Sequence, residues 1–305
     1  MKRYFIVPSV QRNAMEGNQS RRTVLKGIGG ALASAAALGA AGTAAAKETT
    51  KAGSDLYYDP AVEFTAASYD GADRKGALLE AIKYDTASCL IGDVHYIVDD
   101  GDDTYDVRDD AADSDVGVTV GGLDEAYLST QIPVANGEAD LYQQAFVNET
   151  DNAPSLLIEN DLELPAGGDY TVATLANPEL GDEDNDAHLV SEGYYDVLVV
   201  TDGTDYVAFA QRETWRKAFD DQQVGIEATS ESAWENAYVD GDAALDTNTS
   251  NSGDVDLAFT LAVGDREQIT WTTAIGFGTT EADAVDRAVG ALEAGFDSER
   301  QDSLF

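Results

Sequence analysis

The sequence predicts a mainly β protein, a single large antiparallel sandwich that ends in one helix. Three observations carry this reading. Short apolar runs alternate with polar residues at period two, and Asp-Gly, Asn-Gly or Gly-Gly turns break them about every ten residues. Only Thr280 to Phe296 clearly shows the 3.6-residue period of a helix. The strand-rich stretch between these limits is long enough to bury one core, so a single domain is expected over residues 61–279.

Residues 1–46 read as an address rather than a fold element. Ser20-Arg21-Arg22-Thr23-Val24-Leu25-Lys26 is a twin-arginine export motif, followed by an alanine- and glycine-rich run without acidic residues. Ala44-Ala45-Ala46 offers a cleavage site before Lys47, and no cysteine lies there to accept a lipid. The mature protein is therefore expected outside the cell or at its surface, with no membrane segment. Residues 47–60 are polar and read as a flexible lead-in.

Strands are expected at 93–101, 126–137, 141–150, 155–164, 169–176, 194–203, 205–212, 255–264 and 268–278. No fixed repeat interrupts them, which argues against a propeller or solenoid. Glu213 to Phe219 reads as a short helical turn. The terminal segment, residues 280–305, opens with a Thr280 cap. Glu281 and Asp283 follow in the first turn, and Val285, Ala288, Val289, Leu292 and Phe296 fall on one face.

The charge is far from balanced. The chain has 18 Lys+Arg against 58 Asp+Glu, a formal net charge of −40. Six basic residues and one acidic residue precede Lys47, so the remainder holds 12 basic against 57 acidic side chains, a net charge near −45. At molar salt the Debye length falls to about 3 Å and this self-repulsion is screened, so the acidity reads as adaptation to brine. The 14 Tyr, 9 Phe and 3 Trp argue for a folded chain rather than a disordered acidic one. Nucleic acid is not expected as a partner, since the surface repels phosphate. The one cysteine, Cys89, excludes an internal disulfide.

Few residues point to chemistry. Glycoside hydrolysis needs two carboxylates across a cleft, and so many acids give no way to choose a pair, so no catalytic residue is assigned. His95, mid-strand, reads as a half-exposed strand residue; His188 follows an acidic loop and is a candidate metal ligand or general acid. That loop, residues 182–186, is rich in oxygen ligands but lacks the spaced pattern of a calcium loop. No metal and no cofactor are expected, and no nucleophile elbow, P-loop or Cys-x-x-Cys is present. Of the tryptophans, Trp271 lies on an expected strand and reads as core, while Trp234 in "ESAWENAY" is the better sugar-stacking platform. Asn148 and Asn248 head glycan acceptor tripeptides.

The order of these segments resembles the N-terminal domain of prokaryotic glucoamylases and glucodextranases. The resemblance rests on Ser232-Ala233-Trp234, then Ser252-Gly253-Asp254-Val255-Asp256-Leu257. It continues through the strand-to-helix junction Ala274-Ile275-Gly276-Phe277-Gly278-Thr279-Thr280-Glu281-Ala282 and the helix end Ala291-Leu292-Glu293-Ala294-Gly295-Phe296. Upstream, "YDTASCLIGDVHYIVDDG" and "YTVATLANPELGDEDND" match further strands of that family, so the likeness spans most of residues 80–296. Leu90-Ile91-Gly92 stands where the family has an arginine, and Asn177-Pro178 where it has Asp-Pro.

The resemblance implies a large two-sheet antiparallel super-sandwich similar to galactose mutarotase. It also implies a catalytic (α/α)-barrel after the terminal helix, which this sequence does not carry. Three readings follow. The first is a non-catalytic exported module that binds α-glucan or docks, through the terminal helix, to a separate glycoside hydrolase chain. The second is a remnant of a truncated or split glucan 1,4-alpha-glucosidase. The third is an aldose epimerase-like enzyme using His188.

Overall fold

The structure is a computed structural model, and it describes residues 46–53, 62–70, 74–84, 90–119, 125–148, 155–180, 185–213, 222–227, 250–253 and 255–302. The chain runs through β1 (Ala46–Gly53), β2 (Val62–Asp70), β3 (Lys75–Tyr84), β4 (Ile91–Asp99) and β5 (Thr104–Asp106), then a one-turn helix α1 (Val107–Asp110). It continues with β6 (Asp113–Thr119), β7 (Glu125–Val134), β8 (Gly137–Asn148), β9 (Ser155–Glu163), β10 (Tyr170–Pro178) and β11 (Asn185–Glu192). After these come β12 (Tyr195–Thr201), β13 (Tyr206–Glu213), β14 (Gln222–Glu227), β15 (Ser250–Gly253), β16 (Asp256–Gly264) and β17 (Gln268–Gly278). Helix α2 (Glu281–Asp302) follows.

Among the described residues the strands form two antiparallel sheets. One has the order β1-β2-β3-β4-β10-β16-β14, with β5 paired to β4; the other runs β15-β11-β12-β13-β17-β9-β8-β7-β6. This is the two-sheet sandwich the resemblance implies. One difference concerns the lead-in: Ala46–Gly53 is a strand, paired in register with Gly53 opposite Glu63 on β2. Its polar sequence gives no apolar alternation, but an edge strand is held by main-chain hydrogen bonds, which any sequence without proline can supply.

The core lies between the sheets and follows the alternation. Val94, Tyr96 and Val98 of β4 point inward, as do Leu128 and Ile132 of β7, Leu156 and Ile158 of β9, and Ile275 and Phe277 of β17. Trp271 is 1% exposed and meets Tyr96 edge-on at 5.9 Å, as its strand position predicts. Polar side chains on the inward faces pair with one another, Gln143 with Asn160 at 3.1 Å and Gln211 with Thr273 at 3.0 Å. In β3 the alternation slips at Ala81, whose φ of 50° marks a bulge against β2, so that Leu79, Ile82 and Tyr84 all reach the core.

The outward face of the nine-stranded sheet is also apolar, because α2 lies on it. Ala284, Val285, Ala288, Ala291 and Leu292 pack against Leu157, Val197, Val199, Ala208, Ala210 and Ala274. The Gly276-Phe277-Gly278 junction explains how the helix comes so close. Phe277 points into the sandwich, so both glycines face the helix, and a Cβ on Gly276 would lie 2.2 Å from the Ala284 carbonyl oxygen. Thr280 caps the helix as expected, its Oγ1 accepting from the Asp283 backbone N–H at 3.2 Å and donating to the Asp283 carboxylate at 2.8 Å.

Two arginines fasten the helix. Arg212, 1% exposed, donates from Nε to the Leu292 carbonyl at 3.1 Å. Arg287 donates to the Phe277 carbonyl and, at 2.9 Å, to the Tyr84 hydroxyl, while Tyr84 stacks on Phe277 at 5.4 Å. Since Tyr84 belongs to one sheet and Phe277 to the other, Arg287 ties the helix to both. None of the described helices is long and apolar enough to cross a membrane.

Candidate functional site

The outward face of the eight-stranded sheet gathers a group of paired charges. On β4 the residues alternating with Val94 and Tyr96 are Asp93 and His95, so the Asp-x-His spacing sets both on this outer face. His95 Nδ1 is 3.2 Å from Asp93 Oδ1, and its Nε2 is 4.0 Å from Asp106 Oδ2, an ion-pair distance without a hydrogen bond. Asp106 caps α1, accepting from the Arg108 N–H at 2.7 Å, and its other carboxylate oxygen meets the Arg108 guanidinium at 3.4 Å. Arg74 closes the far side, with NH2 3.3 Å from Asp93 and NH1 2.5 Å from Glu80. Glu80 also accepts the Tyr69 hydroxyl proton at 2.6 Å.

His95 is 4% exposed, so the expected half-exposed strand histidine is in fact enclosed, and α1 with its Asp106 cap makes the lid. Burial alone would push the His95 ring below its ordinary value; the Asp106 and Asp93 carboxylates outweigh it and hold the ring above 6.5. Burial likewise would push Asp93 up, but the hydrogen bond and charge of His95, with Arg108 and Arg74, hold it below 3.8. The Tyr69 phenol is pushed up to about 12, first by burial and then by the Glu80 hydrogen bond and charge, so it stays a donor. The group is thus a set of opposite charges that pair with one another.

Beside it opens a cleft of about 270 Å³, lined by Tyr69, Asp70, Lys75, Gly76, Asp113 and Ser114 together with the alanines that follow α1. It sits where the sheets meet, with β2 and β3 on one side and β6 on the other. Ser68 and Ser114 lock that junction through hydroxyls 3.0 Å apart. Gly76 lets α1 approach: its φ is +77°, and a Cβ there would lie 2.0 Å from the Val107 carbonyl oxygen. Arg74 stacks its guanidinium 5.2 Å from the Tyr69 ring centroid and does not line the cleft.

The residues singled out from sequence fare differently. Trp234, the expected platform, lies outside the described residues, as do Trp215, Cys89, Asn248 and residues 182–184 of the acidic loop. Asn185 of that loop is buried at 3% and Asp186 is exposed, both already within β11. His188, which follows the acidic loop, is mid-strand in β11, and its Nε2 lies 3.0 Å from Glu281 in the first turn of α2. It links strand to helix on the outer face of the nine-stranded sheet. Among the described residues no group of three or more His, Cys, Asp and Glu side chains is placed to hold a metal ion.

Asp100, directly after β4, is 8% exposed. It accepts from the backbone N–H groups of Asp102 at 3.1 Å, Asp103 at 3.0 Å and Ala135 at 2.8 Å. Burial would push its carboxyl up, and these donors hold it below its ordinary value.

A family model described as glucodextranase, domain N matches residues 74–303. Among solved structures, a bacterial glucoamylase complexed with acarbose aligns with a TM-score of 0.64 at 16% identity, covering 84% of this chain and 36% of that one. A putative kojibiose phosphorylase from human microbiome aligns with a TM-score of 0.36 at 9% identity, covering 77% of this chain and 32% of that one. No curated protein matches the chain. The chain thus spans about a third of the length of the glucoamylase it aligns with.

Proposed function

The chain belongs to the glucodextranase domain N family, a glucan-related module, and on that premise we propose that it is exported and acts by binding α-glucan, without catalysis of its own. The observation that carries the reading is the disposition of polar groups on the outer face of the eight-stranded sheet. The clustered carboxylates there, Asp93, Asp106 and Glu80, are bound to His95, Arg74, Arg108 and Tyr69, so their contacts are accounted for by charge pairing within the protein. A cleft with Tyr69 among its lining residues stands open beside them.

Docking to a separate catalytic chain through the terminal helix receives less support, because the apolar face of α2 already lies on Val197, Val199, Ala208 and Ala210. An epimerase reading through His188 receives less as well, because that ring is bonded to Glu281 beside the helix start.

The experiment is retention of the protein on insoluble starch and on dextran in molar salt, with Trp234→Ala alongside. Retention on either polymer is expected. Passage of the folded protein through both columns would overturn the binding reading, and loss of retention in Trp234→Ala would place a platform at that residue. Export is tested separately: the secreted form is expected to begin at Lys47, within β1, whereas an intact Met1 terminus on all of the protein would overturn it.

A further inference from the structure

We propose that the cleft beside Tyr69 is a subsite for one hexose unit of an α-glucan, with the Tyr69 ring as its platform and Asp70, Lys75 and Asp113 as partners for the sugar hydroxyls. The proposal rests on the glucan-binding reading and gives it a location.

Size is the first argument. At about 270 Å³ the cleft falls just below the range of pockets that take whole drug-sized ligands, which suits a single sugar ring and not an oligosaccharide. A longer glucan would lay one residue in it and run on across the surface.

Charge is the second. The lining carries two carboxylates and one ammonium group. The net charge of the lining repels an anion, while its carboxylates and ammonium offer acceptors and donors side by side. A polyol can use both, because each hydroxyl can donate to a carboxylate and accept from the ammonium.

Preorganisation is the third. The Tyr69 hydroxyl is anchored on Glu80 at 2.6 Å and its ring is braced by Arg74 at 5.2 Å, so the platform loses little freedom when a sugar arrives. A sugar ring presents an apolar C–H face that an aromatic ring covers, and such contact is not screened by salt, unlike the charged partners. In brine the ring should matter most. The Ser114 hydroxyl is held at Ser68 and does not compete for the ligand. Gly76 lets α1 approach, and with it Ala111, which lines the cleft.

The test titrates the full chain with maltotetraose in molar salt by isothermal calorimetry, in the wild type and in Tyr69→Ala, Asp70→Ala and Tyr69→Phe, with melting temperatures recorded for each. Loss of the ring is expected to weaken binding about threefold to tenfold, the worth of one aromatic contact. Asp70→Ala, at an exposed position that leaves the fold intact, is expected to weaken it about threefold. Maltotetraose is also expected to shift the Tyr69 ring resonances of 13C-tyrosine-labelled protein, identified by their absence in Tyr69→Phe.

Wild-type affinity in both Tyr69→Ala and Asp70→Ala would overturn the subsite while leaving glucan binding elsewhere on the protein. Absence of binding in the wild type, together with no retention on starch, would overturn the subsite and the binding reading at once. Should Tyr69→Ala melt early, Asp70→Ala and the ring resonances decide alone, and unchanged values in both would refute the subsite.

Discussion

Replacing Gly276 by alanine should lift the terminal helix from its sheet. The added Cβ would lie 2.2 Å from the Ala284 carbonyl oxygen and 2.6 Å from the Ala288 nitrogen, both backbone atoms of α2, so no flexible side chain can give way. Restoring ordinary contact distances needs a helix displacement of about 1 Å or more. Overpacking of this kind costs about 1–3 kcal/mol. If the helix lifts entirely, Val285 and Leu292 lose their cover as well, each worth about 1.5–3 kcal/mol. The expected loss is therefore about 1–3 kcal/mol for a displaced helix and about 3–6 kcal/mol for a lifted one, seen as a melting temperature lower by about 2–20 °C in molar salt. Limited proteolysis should cut within 281–302 before the strands are attacked. Gly290→Ala is the control: nothing lies within 4 Å of its Cβ position, and removing a mid-helix glycine should stabilise by about 0.5–1 kcal/mol. A Gly276→Ala protein that melts within about 1 °C of the wild type would refute the close-approach argument.

Three further outcomes are expected. Thr280→Ala removes the Oγ1 that accepts from the Asp283 N–H and should cost about 1 kcal/mol in a urea titration, with an unchanged value counting against the cap. The His95 cluster should make stability fall as pH rises. The ring is held above 6.5 in the folded protein, so its contribution is complete below that value and is lost as pH climbs through the folded value, at no more than about 1.4 kcal/mol per pH unit. Asp93, held below 3.8, sets the acid limb, lost as pH falls through its folded value. In His95→Gln the high-pH limb should vanish from urea midpoints taken between about pH 6 and pH 9, and a wild-type slope there would refute the assignment. Finally, the net charge of −40 should make the melting temperature rise with salt, and equal melts in dilute buffer and molar salt would show that repulsion is not a major term.

Much of the architecture was legible because the alternation is strong where only one face is covered, as in β7 and β8. The stretches "VLVV" and "VAFA" carried a further message: they are apolar at every position because the sandwich covers one face and α2 the other. β3 was harder, since "KGALLEAIKY" is built from good helix formers and changes phase at Ala81; its pairing with β2 and β4 overrides the propensity. β1 and β15 lack apolar alternation and are specified by their neighbours' open edges.

Only two members of the charged cluster could be read together. Asp93 and His95, two apart on a strand, had to share a face, and that spacing was the available signal. Arg74 and Arg108 arrive from a hairpin and a helix cap whose placement only the register fixes. For the cleft, Tyr69 and Asp113 come from different sheets, 44 positions apart, and no local pattern announces such a meeting.

The glycine junction and the helix it admits also bear on how the protein is made. All the strands that α2 covers emerge from the ribosome before residues 281–302 do. Until then the outward surface formed by Val197, Val199, Ala208, Ala210 and Ala274 has no intramolecular cover, although each strand beneath it can already pair. A nascent chain exposed only as far as residue 278 would be nearly complete in its hydrogen bonding yet adhesive on one side. Chaperone residence on this sheet should therefore end when residues 281–302 are free to dock on it.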